Sequence, residues 1–342
     1  MSIHNNKAFG VWRSTRGVFM ISYLFIAIFV LLSALLLLYS ADAFLLAELG
    51  LTLWLERMVP TLLPFMILSG ILTGLNLHYI LCKPLKKPFQ KLFHITENGT
   101  YCIFMGYLCG FPMGAFCAAN LYKDGHISKK TAQYLIAFCN NIGPIYFFSF
   151  ALSIIGFQNP DVKEYFLLTF GMYGIPLLYG ILTASRRQTL PACPVTLPQT
   201  ECSLFHAVDS AISRSGISIL RLCGYMVFFN VLMLLFYRSP LPVTFTRCIH
   251  CFLEISGGLK MLLPLTETHF MIPLFSGAIP VYSLIALTAL SFGGLSCIGQ
   301  TGVFLHEAGL SLGHYIKSRL MIAFCALIYY AFCFSSGILT LP

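Results

Sequence analysis

Three interrupted stretches in apolar surroundings are where this sequence could do chemistry. Residues 106–114 read GYLCGFPMG, residues 291–300 read SFGGLSCIGQ, and Asn140 and Asn141 stand beside Gly143 and Pro144. Glycine and proline both weaken a continuous helix. In hydrocarbon, each peptide group freed in this way costs several kcal/mol unless protein, water or a ligand satisfies it. A helix that restarts after a break offers unpaired N–H groups and a positive dipole end, which suit a carboxylate or phosphate. The chemistry to expect is therefore recognition of a small anionic solute. Gly110, Phe111, Pro112 and Gly114 would shape one turn, and Gly293, Gly294, Ser296 and Gln300 a second. Asn140 and Asn141 would line the cavity between them, because two adjacent amides cannot share one helix face.

Each assignment has a plainer competitor. Gly106, Gly110 and Gly114 are spaced by four, which also makes a helix-packing seam. SFGGLSCIGQ could be a Gly–Ser kink in an ordinary span, although Ser296 and Gln300 at membrane depth still need partners. Asn120 and Asn230 read as interhelical hydrogen bonds, and Glu254 and Glu267 as interfacial, although either carboxylate would serve as a proton- or cation-coupling group if buried. Catalytic constellations fail on spacing. His306 and Glu307 are followed by Leu310 where a zinc-protease helix needs histidine, and Cys248, His250 and Cys251 lack a second ligand pair. Neither a nucleophile elbow nor a phosphate-binding loop is present, so no enzyme, metal or cofactor is expected, and the coupling ion stays open.

The elements that must position these residues are membrane helices. The sequence is 58% hydrophobic and 10% charged, with a mean hydropathy of +0.82, values that require lipid as solvent. The net charge of +9 sits in small clusters beside apolar runs, which fits cytoplasmic loops and not nucleic acid. Thirteen cysteines, spread through apolar segments, read as small buried hydrophobes and not a disulfide framework. The partners expected are the lipid bilayer and a small anionic solute; a homo-oligomer is allowed.

Charge then orders the topology. After Lys7, Arg13 and Arg16, residues 18–39 cross; this run exceeds the roughly 7–15 residues of a signal-peptide core, although Ala41, Asp42 and Ala43 resemble a cleavage site. Asp42, Glu48 and Glu56 form an outer connector, and residues 58–80 return to Lys83, Lys86, Lys87 and Lys91. Residues 100–122 lie between that cluster and Lys123, Lys129 and Lys130, so both flanks share one basic compartment. A single crossing cannot do that, and a re-entrant helical hairpin can. Residues 131–156 and 165–184 then cross outward and back to Arg186 and Arg187.

Beyond a polar linker, residues 205–216 are amphipathic and 217–237 span, with Arg221 snorkelling inward. Residues 243–265 carry Arg247, His250, Glu254 and Lys260, so they are either an interfacial helix or a short span. Residues 270–305 are apolar and glycine-broken, and the last span, 315–341, has Lys317 and Arg319 inside its first turns.

The organisation expected is residues 1–57 as an N-terminal segment with the first span, 58–184 as a first half, 185–204 as linker and 205–342 as a second half. Gly110 precedes Gly125 by fifteen residues, as Gly294 precedes Gly309, and Ala-Phe-Cys recurs at 137–139 and 323–325. With one odd crossing between them, such halves would be inverted in the membrane, the pattern of secondary transporters. The fold class is thus an all-α polytopic membrane protein with an inverted repeat and two re-entrant helical hairpins.

Four ordered motifs carry a family resemblance: GFPMGA at 110–115, LYKDGHIS at 121–128, FCNNIGP at 138–144 and FGGLSCIGQ at 292–300. Together they resemble the YlbJ-like sporulation integral membrane proteins, of the nucleoside-recognition or Gate group related to concentrative nucleoside transporters. The resemblance implies a multi-pass protein of the bacterial cell membrane, in particular the membrane around the forespore, that moves dipicolinate, a heteroaromatic dianion. The chain departs from the expected pattern at Phe116, where a basic residue would follow GFPxGA. The competing class is a membrane scaffold that transports nothing and acts in spore or envelope assembly.

Overall fold

The computed structural model describes residue 23 and residues 25–75, 77, 80, 82–184, 203–266, 270–274 and 277–341. In chain order the elements are α1 (Phe25–Leu38), α2 (Ser40–Gly74), α3 (Lys86–Phe93), α4 (Glu97–Cys109), α5 (Met113–Lys123), α6 (Lys129–Ile155), α7 (Val162–Thr183) and α8 (Leu204–Tyr237). There follow α9 (Val243–Leu253), α10 (Ile255–Thr266), strands β1 (Met271–Leu274) and β2 (Gly277–Pro280), α11 (Val281–Glu307) and α12 (Leu312–Ser335). Among the described residues, six helices are long and apolar enough to cross a membrane: α2, α6, α7, α8, α11 and α12. The strands form one small antiparallel hairpin, with Met271 opposite Pro280. The fold is all-α in every other respect.

The helices between the long ones come as two packed pairs. The first pair is α4 and α5, of 13 and 11 residues, each about 20 Å or less and too short to cross alone. Gly110, at φ +86°, turns the chain between them, and the open end closes where Asn98 Nδ2 meets the His126 carbonyl at 3.5 Å. Close approach needs the small residues: a Cβ on Gly106 would sit 1.8 Å from the Cys139 carbonyl oxygen. The second pair is α9 and α10, turning at Glu254, where a Cβ on Gly258 would lie 2.4 Å from the Cys251 Cα.

The two halves share an order of helices, apart from α3 in the first and the β1–β2 hairpin in the second. A spanning helix (α2 or α8) leads into a short pair (α4–α5 or α9–α10), then an interrupted helix (α6 or α11), then a closing helix (α7 or α12). At one end of the bundle Glu307 pairs with Lys123 and Arg221, and Gln133 and Ser311 exchange two hydrogen bonds of 2.9 Å. At the other, Arg238 pairs with Asp42, Ser283 Oγ donates to the Ile155 carbonyl at 2.8 Å, and Phe157 stacks on Phe334. α4–α5 opens toward the first end and α9–α10 follows directly on Arg238 at the second.

Several expectations change. The acidic stretch with Asp42, Glu48 and Glu56 is no connector: it lies within α2, a 35-residue run of about 52 Å that outreaches the roughly 30 Å hydrocarbon core. Residues 205–216 are continuous with the following span in α8. The undecided stretch 243–265 is two helices packed on each other. SFGGLSCIGQ lies across a corner in α11, where Gly293 and Gly294 have φ of +98° and +69°, and the two parts of α11 do not pack along one another as α4 and α5 do. The glycine match of 110 with 294 therefore pairs unlike places, a tip and a corner. Positive-φ glycines serve both, so their spacing alone could not tell them apart. Residues 1–22, with Lys7, Arg13 and Arg16, lie outside the described residues, as do 185–202 of the linker, with Arg186 and Arg187, and Glu267.

Candidate functional site

The interruptions converge at the centre of the bundle. The Gly110 tip abuts the break in α6, since a Cβ there would fall 2.3 Å from the Gly143 nitrogen. Phe111, next along the tip, lies against the corner of α11, with its ring 2.7 Å from where a Cβ on Gly293 would be. Gly294 faces Ile255 at the start of α10. Thus the α4–α5 tip, the α6 break, the α11 corner and the α9–α10 turn share one neighbourhood.

One side chain that sequence reasoning treated as a misplaced flank ties them together. Arg319 of α12 is 1% exposed, the largest fully buried side chain among the described residues. Its Nε donates to the Phe292 carbonyl at 3.2 Å, Nη1 to Asn141 Oδ1 at 2.9 Å and Nη2 to the Ser291 carbonyl, while its guanidinium stacks over the Phe111 ring at 5.2 Å. Ser291 and Phe292 end the first part of α11, so the cation sits on orphan carbonyls at the negative end of a helix. Asn141 Nδ2 in turn donates to the Phe138 carbonyl at 2.8 Å. Asn140 Oδ1 accepts from the Ala115 amide at 3.3 Å, and its Nδ2 donates to Thr301 and Tyr315 at 3.0 and 3.1 Å. Both asparagines are buried and spend their groups inside the protein.

Beside this knot lies a cavity of about 50 Å³, walled by Phe111 and Gly143 from the first half and by Glu254, Ser256, Cys297 and Gln300 from the second. Tyr146, and Met58, Thr61 and Met226 from α2 and α8, also line it. The volume admits a few waters, so a ring-sized solute needs a wider state. Its polar atoms are specific. Tyr146 donates its hydroxyl hydrogen to Ser256 Oγ at 3.0 Å. Gln300 Nε2 donates to Ser296 Oγ at 3.2 Å, which leaves Gln300 Oε1 buried without a partner. A buried acceptor in that condition calls for a donor from a ligand or water.

Glu254 is the second residue the sequence reading misplaced. It is 3% exposed, not interfacial, and caps α10: Oε1 accepts from the Ser256 amide at 3.1 Å and Oε2 from the Gly257 amide at 2.6 Å. Asn230 Nδ2 adds a third donor at 3.2 Å, and Asn230 Oδ1 meets His250 Nε2 at 2.8 Å, so Asn230 does bond between helices. The signal was present in the residues: Glu254 precedes Ile-Ser-Gly-Gly, an acid at a helix start followed by small residues that admit close neighbours.

Of the ten residues expected at a site, Phe111 and Gln300 line the cavity, and Ser296 supports Gln300. Gly110, Gly293 and Gly294 allow the close approaches, and Pro112, joined to Phe111 by a cis peptide bond, is the N-cap of α5. Gly114 packs on Cys139 and Asn140. Phe116, where a basic residue was expected, packs edge-on against Phe304 at 5.3 Å, while the positive charge near the tip comes from Arg319.

With this geometry in hand, comparison with known proteins finds a relative in the sporulation integral membrane protein YlbJ of Bacillus subtilis (strain 168). The two are 26% identical over 332 residues, a match covering 86% of this chain and 78% of that protein. No family model matches the chain, and no solved structure matches it. The chain is similar to YlbJ over most of its length, and with six apolar helices among its described residues it is a multi-pass membrane protein.

Proposed function

We propose that this YlbJ-like chain is a secondary transporter of a small anionic or heteroaromatic solute, which binds where interrupted helices of the two halves meet. The observation that carries the reading is Gln300 Oε1, a buried acceptor with no donor on the wall of a cavity contributed by both halves. The matching order of elements supports it. Three long helices, α6, α7 and α8, separate the two short pairs, so successive crossings would invert the second half relative to the first. On that view α4–α5 and α9–α10 are the re-entrant hairpins, and the α6 break and α11 corner are the paired interruptions between which a carrier holds its cargo. Phe111 and Tyr146 give flat apolar contact for a ring, and Gln300 Oε1 takes a donor hydrogen from a solute N–H or carboxyl O–H or, for a fully ionised solute such as dipicolinate, from a bound water.

By family resemblance dipicolinate is the first solute to try. The full chain reconstituted in liposomes should take up labelled dipicolinate, with nucleosides as the comparison. Gln300→Ala should lower accumulation several-fold while membrane insertion stays intact; full uptake in that variant would remove the site.

A non-transporting scaffold has one observation in its favour: the polar groups of Asn140, Asn141 and Arg319 are spent inside the protein, as a packing role requires. Liposomes with correctly folded protein and no flux of either solute class would favour that second reading.

A further inference from the structure

We infer that Glu254 is the proton-binding group through which solute movement is coupled to protons, an inference that rests on the carrier reading above. The carboxylate lies on the wall of the solute cavity and is 3% exposed. Its bonded neighbours are all neutral donors: the Ser256 and Gly257 amides, Asn230 Nδ2 and the Ser256 hydroxyl. Among the described residues it forms no ion pair. The titratable groups around it are Tyr146 and Cys297 across the cavity, Cys251 on α9, and His250, which reaches it only through Asn230 and is itself bonded to Tyr237. Arg319 stands behind Phe111 with its donors given to Phe292, Asn141 and Ser291. The charged residues of α2 nearest in sequence to the cavity wall, Glu56 and Arg57, are exposed, and Arg221 of α8 is turned to Glu307.

Such a carboxylate is held between two states. Three N–H donors stabilise its charged form, whereas burial without a cation opposes it. None of these donors carries a net charge, so a proton, which removes the buried charge itself, suits the site. An anion entering this cavity meets like charge unless Glu254 is neutral. One proton from water therefore forms an O–H bond on Glu254 as the anion binds, and leaves to water on the other side as the anion departs.

The test uses the full chain in liposomes holding a trapped pH dye, with labelled dipicolinate and the membrane potential clamped at zero. Exchange of dipicolinate at equal pH on both sides tests the carrier reading alone. An inward proton gradient should then drive accumulation about tenfold per pH unit, with the dye reporting proton entry. In Glu254→Gln any remaining flux should ignore the gradient. Wild-type exchange that ignores the pH gradient, or follows sodium instead, overturns the proton site. If no exchange occurs at all, the carrier reading fails, and infrared titration decides the proton site separately. A protonated-carboxyl band that titrates in the wild type and is missing in Glu254→Gln supports it, and absence of that band at every pH overturns it.

Discussion

Replacing Arg319 with methionine tests whether a buried guanidinium holds the interruptions together. The substitution keeps an unbranched side chain of similar length and removes every donor. The Phe292 carbonyl, the Ser291 carbonyl and Asn141 Oδ1 then lose their partners in a place that water does not reach, and the Phe111 ring loses its cation. A stranded acceptor costs about 1–3 kcal/mol, and three of them with the stacking would exceed 5 kcal/mol. Part of that is offset because a charge no longer has to be buried, which leaves about 3–5 kcal/mol net. At roughly 2 °C per kcal/mol for a chain of this size, the melting temperature in detergent should fall by about 6–10 °C. Arg319→Lys should fall about half as far, since an ammonium keeps the charge but cannot span carbonyl, carbonyl and amide in one plane. An Arg319→Met protein that melts within a degree of the wild type and still moves solute would refute the argument.

Other parts of the account are open to simpler checks. Gly106→Ala should destabilise by about 3 kcal/mol or more, because its Cβ would lie 1.8 Å from the Cys139 carbonyl oxygen; Gly216→Ala, with nothing within 4 Å, should gain about 0.5–1 kcal/mol, and thermal melting of the pair compares them. Glu307→Gln removes both ion pairs at one end of the bundle, but with side chains 39–50% exposed it should shift stability by less than about 1 kcal/mol, and less still at high salt. Cys82, in the basic connector, has its thiol pushed up to about 11 by burial and then by Glu97. At pH 8 only about a thousandth of it is thiolate, so maleimide labelling at Cys82, followed by mass spectrometry, should be very slow and should speed up as pH rises toward 11.

How much of this was legible follows from what each signal measures. Hydropathy located the long helices, because lipid-facing and core-facing sides are both apolar. The first short pair was visible because Lys83 to Lys91 and Lys123 to Lys130 mark both its flanks, with Gly110 and Pro112 between. The second pair had no such mark. Its faces pack on protein, so 243–266 could remain only moderately apolar, and Glu254 looked like a surface charge although its own helix start and Asn230 hold it. Arg319 was legible only as a charge inside the first turns of the last span, and only the fold places the end of the first part of α11 and Asn141 around it. Charge also misled at Asp42, Glu48 and Glu56, since a helix longer than the bilayer carries acids without becoming a loop. The breaks at Asn140 and Asn141 were placed correctly, but which amides are spent and which acceptor is left over depends on partners more than a hundred residues away.

The most direct measurement uses a thiol already on the cavity wall, Cys297. In liposomes, a membrane-permeant maleimide should alkylate Cys297 when the cavity opens, as read on the peptide carrying it, and saturating dipicolinate should slow that reaction several-fold while leaving the exposed Cys325 unchanged. Solute that moves across the membrane yet leaves the rate at Cys297 untouched would show that it travels by another route, and the meeting point of the broken helices would not be where it binds.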